Sequence, residues 1–132
     1  RSDDQLPLFE NYSMRERTYR YFTSEPWFRF GHGLSYSGVK YTGARVTTPA
    51  QSGCEISVSL TNPSKLDVDG VVQLYRVGEN PIEAGLAIEE LVAFERVRVP
   101  AEETRRISLS RNGPAARYRL AGVKDLLVCA NE

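Results

Sequence analysis

Strict alternation of apolar and polar residues in one short segment most constrains what this chain can fold into. Residues 54–60 read CEISVSL, so every second side chain is apolar, and this period places one strand face against a core and the other in water. Similar short segments bounded by turn residues recur from residue 36 onward. The predicted strands span residues 39–47, 54–60, 71–77, 91–99, 105–110, 115–120 and 125–130. Seven strands of this kind predict an all-β, two-sheet sandwich.

The same patterns predict the turns and the core. Residues 67–70 are expected to form the turn before the third strand. Residues 83–90 are expected to form a loop, because Gly85 and the flanking Pro81 disfavour a helix. The residues predicted to form the core are Ile56, Val58, Leu60, Val72, Leu74, Leu91, Phe94, Val97, Ile107 and Leu109.

The first 35 residues differ in composition from the rest of the chain. They carry eight of the 13 aromatic residues (7 Tyr, 5 Phe and 1 Trp) and show no sustained helix or strand periodicity. An extended segment cannot bury eight rings against itself, so we expect it to lie on the following domain, on another domain or on a second copy of the chain. We therefore divide the chain into a leader over residues 1–35 and a sandwich domain over residues 36–132.

Charge and length exclude several classes of function. The 17 basic and 17 acidic side chains give a formal net charge of zero, which argues against sequence-independent binding of nucleic acid. No apolar run approaches the ~20 residues that span a bilayer, so no membrane partner is expected. The chain begins at Arg1 rather than Met, which predicts either a processed chain or, in preference, a fragment of a longer protein. Periplasmic, secreted and cytoplasmic locations all stay open for that protein.

Two cysteines, Cys54 and Cys129, lie far apart in the sequence and lack the paired spacing of a zinc site. The usual burial of cysteine favours two buried thiols. A single disulfide that closes a long loop is the alternative, and it would imply an oxidising compartment.

Few residues are suited to catalysis, and we expect no catalytic residue, cofactor or metal site in this chain. His32 is the only imidazole, and no Gly-x-Ser-x-Gly motif presents a nucleophile to it. Gly31 and Gly33 predict a tight bend in which the His32 ring packs or hydrogen-bonds locally. The acidic pairs are interpreted as solvated surface residues, since charged side chains seldom leave water unpaired. These pairs are Asp3-Asp4, Glu89-Glu90 and Glu102-Glu103.

The aromatic leader contains the candidate site. Exposed Trp and Tyr rings can stack on sugars, and the same rings are common at protein interfaces. Residues 26–30 read PWFRF and alternate outward and inward, as in a chain pressed along a partner surface, which favours docking over sugar binding. The candidate domain-docking or sugar-stacking residues are Tyr21, Phe22, Trp27, Phe28, Phe30 and His32.

Several motifs in the chain resemble one known family in their order and spacing. The leader contains RTYRYF at residues 17–22, EPWF at residues 25–28 and FGHGLSY at residues 30–36. Further pieces are SVSLTN at residues 57–62, DGVVQLY at residues 69–75, and EL and FERV at residues 90–91 and 94–97. Together they resemble the C-terminal fibronectin type III-like domain, with its leader, of glycoside hydrolase family 3 β-glucosidases and β-xylosidases.

This resemblance implies an immunoglobulin-like fold of the fibronectin type III type and an accessory role. Members of the family hydrolyse terminal β-linked sugars with retention, through an aspartate on a barrel and a carboxylate on a second α/β domain. No residue here matches either catalytic motif, so the expected partners are the catalytic domains of a parent chain. A sugar-binding module of the same fold is the alternative, and its partner would be carbohydrate.

We expect the leader to have an anchored half and a free half. Because residues 30–36 join directly to the first strand, Trp27, Phe28 and Phe30 are predicted to pack against the sandwich, while residues 1 to about 15 are loosely held or bridge to a second copy of the chain. Limited trypsin digestion should therefore cut after Arg15 and Arg17 before it cuts after Arg29. Early cutting at Arg29 with the other two sites protected would reverse the assignment.

Overall fold

The described part of the chain is an all-β sandwich, as predicted. The computed structural model describes residues 8–14, 17–33, 38–47, 53–79, 87–112, 116–123 and 126–129. Within these residues the strands are β1 (Lys40–Thr47), β2 (Cys54–Thr61), β3 (Val68–Val77), β4 (Glu89–Val99), β5 (Thr104–Arg111), β6 (Ala116–Leu120) and β7 (Leu126–Cys129). The boundary predicted between residues 35 and 36 lies outside the described residues, as do residues 83–86 of the predicted loop.

Two antiparallel sheets form the sandwich. One has three strands in the order β1-β2-β5, and the other has four in the order β4-β3-β6-β7. Their inner faces enclose the core, because the period of two directs alternate side chains of each strand inward. The predicted core residues that the structure confirms as buried are Ile56, Val58, Leu60, Val72, Leu74 and Leu109. Val97 and Ile107 pack against the rim of this cluster.

The predictions that Phe94 and Leu91 belong to the core are wrong. Phe94 is 69% exposed on the outer face, the face of the four-stranded sheet directed away from the three-stranded sheet. Phe94 and Val97 are three residues apart, and an odd spacing places two side chains of one strand on opposite faces. In addition, the β3/β4 register shifts between Leu74 and Tyr75, so that Leu91 pairs with Tyr75 and is only half-buried.

The two cysteines join the sheets, which overturns the prediction of two separate thiols. Cys54 at the start of β2 and Cys129 at the end of β7 form a disulfide, with their Cα atoms 6.1 Å apart. That separation is within the range that the bond requires. The two half-cystines belong to different sheets, and both are buried in the core cluster.

Buried Asn62 organises the turns at one end of the sandwich. Its amide nitrogen donates to the carbonyl oxygens of Leu66, Val99 and Pro100 at 2.8–3.1 Å. Its Oδ1 accepts from the backbone N–H of Ser64 at 3.0 Å. A buried polar group needs such partners, so Asn62 ties the loop after β2 to the turn after β4.

The predicted turn at residues 67–70 is shorter than expected, because β3 already begins at Val68. Val68 pairs with Val99, so the strand extends to the end of β4. Asp67 ends the turn by accepting a hydrogen bond from the Ala101 N–H at 3.0 Å. That bond, together with Arg98, holds the pKa of Asp67 below its usual value.

Truncation of Leu74 tests the assignment of strand faces. Leu74 is 0% exposed between the sheets, so Leu74→Ala should lower the free energy of unfolding by about 2–5 kcal/mol. Phe94→Ala on the neighbouring strand is the matched control, and it should cost at most about 1 kcal/mol. Urea denaturation of both variants measures the difference, and equal losses would contradict the assigned faces.

Candidate functional site

Tyr75 is the centre of the candidate site, on the outer face of the four-stranded sheet. It is 0% exposed, yet it does not belong to the cluster between the sheets. The rings of Tyr19 and Phe30 cover it, each with its centroid 6.3 Å from the Tyr75 ring and nearly perpendicular to it. We call residues 17–33, which supply this cover, the strap.

The two covering rings also stack on each other. The Tyr19 and Phe30 centroids lie 4.1 Å apart with an angle of 12° between the planes. This contact joins two points of the strap eleven residues apart, so the strap folds back on itself above the sheet. The resulting aromatic group is a small second core, and it explains why part of the leader is ordered without regular secondary structure.

Backbone and hydroxyl hydrogen bonds attach the strap at both ends. The Ile88 N–H donates to the carbonyl oxygen of Arg20 at 2.5 Å, and the Leu91 N–H donates to the Tyr19 hydroxyl at 3.3 Å. At the other end the Tyr75 hydroxyl lies 3.3 Å from the carbonyl oxygen of Phe30. The strap is therefore fixed along the beginning of β4 and again over the middle of β3.

Burial under the strap raises the pKa of the Tyr75 phenol, with a smaller opposing effect from the charge of Arg119. The phenol is therefore protonated at neutral pH and donates to Gln73 Oε1 at 2.5 Å. The Arg119 guanidinium carbon lies 4.5 Å from the Tyr75 ring centroid, a favourable cation–π distance. Tyr75 is thus held by rings on one side and by polar groups around its edge.

Two adjacent carboxylates, Glu89 and Glu90, bind arginines from both the strap and the sheet. Glu90 accepts from Arg20 of the strap at 2.8 Å and from Arg76 of β3 at 2.6 Å. Glu89 accepts two hydrogen bonds from Arg119 of β6, at 2.8 and 2.7 Å. We call Glu89, Glu90 and the three arginines that bind them, Arg20, Arg76 and Arg119, the clamp.

The two ion pairs that Glu89 forms differ in burial. The Arg119 and Glu89 side chains are 14% and 20% exposed, and their paired bonds are the geometry that suits guanidinium and carboxylate best. Arg29 of the strap lies 3.8 Å from Glu89 and is 60% exposed, so water screens that pair. The interpretation of Glu89-Glu90 as a solvated pair is therefore wrong.

Gly31 allows the strap to approach the sheet closely. Its φ of +80° is a left-handed conformation that favours glycine. A Cβ at this position would overlap Gln73 Oε1 and would lie 2.6 Å from the Tyr75 hydroxyl. Only glycine fits this contact without displacing the polar edge of Tyr75.

The six candidate residues separate into inward and outward groups. Phe30 packs on Tyr19 and Tyr75, as predicted. The prediction that Trp27 and Phe28 pack against the sandwich is wrong, because these side chains are 86% and 70% exposed. The remaining three are the half-buried Tyr21 and Phe22 and the exposed His32.

His32 packs locally, as the flanking glycines predicted. Its ring lies 4.9 Å from the Phe28 ring, and the backbone N–H of His32 donates to the carbonyl oxygen of Arg29 at 2.9 Å. The outward side of the strap thus presents Trp27, Phe28 and His32 together near one bend. This arrangement offers ring faces to a ligand or a protein surface.

The site also includes a cleft. A cleft of about 400 Å³ lies between the strap and the start of β4, and it includes Phe22, Arg29 and Glu89. Among the residues described, no group of three or more His, Cys, Asp or Glu side chains is placed to hold a metal ion. The described part of the chain also contains no helix long and apolar enough to cross a membrane.

Sequence reasoning missed Tyr19, Tyr75, Glu89, Glu90 and Arg119 as parts of the site. The strap arginines and the Glu-Glu pair lie 60 or more residues apart, so no local period relates them. One signal was available in residues 71–77, which read VVQLYRV and place apolar side chains on both faces of a strand. A strand with two apolar faces needs cover on its second face.

Comparison with known proteins identifies relatives of this chain. No protein-family model matches the chain. The chain is 33% identical over 105 residues to a xylan 1,4-β-xylosidase of Xylanibacter ruminicola, a match that covers 79% of this chain and 12% of that protein. It is 36% identical over 93 residues to a β-xylosidase of Formosa agariphila, covering 68% of this chain and 13% of that protein.

A solved structure shares the fold. The GH3 β-glucosidase from Bifidobacterium adolescentis superposes with a TM-score of 0.63 at 19% identity, over 75% of this chain and 18% of that chain. This chain thus spans only a small part of the proteins it matches. It is homologous to a domain-sized segment of β-xylosidases and β-glucosidases, and it belongs to glycoside hydrolase family 3.

Proposed function

We propose that this chain is a noncatalytic accessory domain of a family 3 β-glycosidase that removes terminal β-linked glucose or xylose. In this proposal residues 1–35 connect the sandwich to the catalytic domains of the same parent chain. The β-xylosidase relatives, of which the chain matches 12% and 13%, support the parent's class of activity. The observation that carries the structural role is the attachment of the strap to the outer face at both ends.

A strap fixed in this way holds the chain on either side of it in a set position. Arg20 binds Glu90, and Phe30 packs over Tyr75, so neither end of the segment between Arg20 and Phe30 can move far without breaking a contact. A flexible linker would leave neighbouring domains free to reorient. The strap instead gives the chain that precedes it a defined direction relative to the sandwich.

The outward rings supply the docking surface. Trp27 and Phe28 are large, exposed and adjacent, and His32 lies beside them. Aromatic residues of this kind are enriched at protein interfaces, where their apolar area is removed from water. We therefore assign these three side chains to contact with the catalytic domains, while Phe30 stays with the sandwich.

A sugar-binding module is the second candidate, and the exposure of Trp27 favours it. An accessible indole can stack on the apolar face of a sugar ring. In that case the isolated chain would bind oligosaccharides without any other domain. The scaffold role requires no such binding.

Assays on the purified chain separate the two candidates. We expect no release of aglycone from aryl β-glucosides or β-xylosides, and no saturable signal when xylo- or gluco-oligosaccharides are titrated by calorimetry. Turnover that survives removal of host enzymes would refute the accessory role. Saturable binding that Trp27→Ala abolishes would favour the sugar-binding module.

Substitution of Gly31 tests the attachment of the strap. Gly31→Ala adds a methyl group that overlaps Gln73 and forces a positive φ on alanine, at a cost of about 1–3 kcal/mol. Opening of the strap should rise about 5- to 150-fold, measured as faster tryptic cleavage after Arg29.

Gly33→Ala is the matched control, two residues away in the same segment. A Cβ at Gly33 would meet no described atom within 4 Å, and its φ is not in the left-handed region. Its cleavage rate should equal that of the wild type. Equal rates for both variants would mean that the Gly31 contact does not hold the strap.

A further inference from the structure

The disulfide holds a short strand at the edge of a sheet. Among the described residues, β7 has four residues, lies at the edge and pairs with β6 alone, in a register of four residue pairs. Cys129 is the last residue of β7, and its bond reaches across the core to the first residue of β2 in the other sheet. The bond therefore fixes the end of the shortest strand to a strand with a partner on each side.

Burial makes this bond slow to exchange. Cys54 and Cys129 are 3% and 1% exposed. Thiol–disulfide exchange needs a thiolate to reach one sulfur directly. A reductant therefore cannot attack the bond while β7 is docked, and reduction must wait for local opening of the strand.

We propose that the Cys54–Cys129 disulfide is a redox latch on the C-terminal edge of the four-stranded sheet. With the bond formed, β7 stays docked on β6. With the bond reduced, β7 separates from β6 while the remaining strands stay folded. The inference concerns the edge opposite β4, which carries the clamp, and it is independent of the proposed accessory function.

The chemistry of the latch is a two-electron exchange. To form the bond, the two cysteine thiols lose two protons and transfer two electrons to a small-molecule disulfide, which is reduced to two thiols. To open it, one thiolate of a dithiol attacks a sulfur atom and forms a mixed disulfide, and its second thiol then releases the protein dithiol. The protein gains two protons and two electrons, and the reductant is oxidised to a disulfide.

Opening has a structural consequence for β6. The outer edge of β6 pairs with β7, from Ala116 opposite Cys129 at one end to Arg119 opposite Leu126 at the other. Loss of β7 would expose the backbone N–H and C=O groups along this edge of β6. Unpaired strand edges bind other strands readily. The reduced form should therefore associate with itself more than the oxidised form does.

The first test counts thiols in the wild-type chain. Protein purified without reductant should show no reactive thiol when it is denatured, and two after reduction. Reduction of the native chain by dithiothreitol should be slow and should accelerate in sub-denaturing urea, because attack requires opening of β7. Two thiols in the denatured but unreduced protein would overturn the proposal.

The second test compares local and global effects by amide hydrogen exchange. In an antiparallel edge strand alternate N–H groups face away from the partner, so only one of the consecutive Leu127 and Val128 amides is protected by β6. Reduction should speed exchange at that protected amide by at least about tenfold, while Val58 and Leu60 of β2 keep their protection. If the β2 amides accelerate equally, the bond is a general cross-link and the latch is refuted. No change at the protected β7 amide would refute it as well.

A double variant provides a check without a reductant. Cys54→Ala/Cys129→Ala removes a bond that closes a separation of 75 residues, and Tm should fall by roughly 10–15 °C. Val128→Ala, at an exposed position of the same strand, is the matched control and should change Tm little. Should the double variant fail to fold, the thiol count and the exchange rates of the wild type still decide.

Discussion

The central strand β3 carries apolar side chains on both of its faces, and both parts of this molecule depend on that constraint. The alternation of a strand places the consecutive residues Leu74 and Tyr75 on opposite faces. Leu74 enters the core between the sheets, and Tyr75 lies beneath the strap. The register shift beside them leaves Val92 of β4 without a partner on β3, as in a β-bulge. The central strand thus supports two separate apolar clusters.

The strap is held by two kinds of interaction with different physical properties. The rings of Tyr19 and Phe30 contribute apolar burial, which has no directional requirement. The clamp contributes direction through Arg20 of the strap, which binds Glu90 at 2.8 Å. The more buried Arg119–Glu89 pair joins β6 to β4 within the sheet. The strap arginine therefore binds at an edge of the sheet that paired side chains already hold in place.

The clamp also shows how charge is balanced at the edge of the sheet. Each carboxylate is shared between an arginine of the sheet and an arginine of the strap. Without the strap, Glu89 and Glu90 would keep Arg119 and Arg76 as partners. The sheet can therefore form first without an uncompensated carboxylate, and the strap adds to a site that is already neutralised.

Much of the sandwich was predictable because a half-buried strand shows a local two-residue alternation of apolar and polar side chains. The alternation in residues 54–60 predicted β2 and its buried face, and both are confirmed. The error at Phe94 shows the limit of this reasoning. In β4 the apolar residues fall on both faces, so local hydrophobicity does not say which face is covered; only the spacing from Val97 does. The candidate site was predictable only in part, since Phe30, although 50% exposed, packs on Tyr19 and Tyr75, whereas Trp27 is 86% exposed.

The sequence by itself determined the class of fold, the strands found in the described residues and the family to which the chain is related. These properties depend on composition, on short periods and on contiguous motifs. The tertiary structure alone decided that Cys54 meets Cys129, that Glu89 meets Arg119, and that Tyr75 is covered by the strap. Each of these contacts joins residues at least 30 positions apart. Such contacts depend on how two sheets pack and on where one strand shifts register, and no local pattern encodes either.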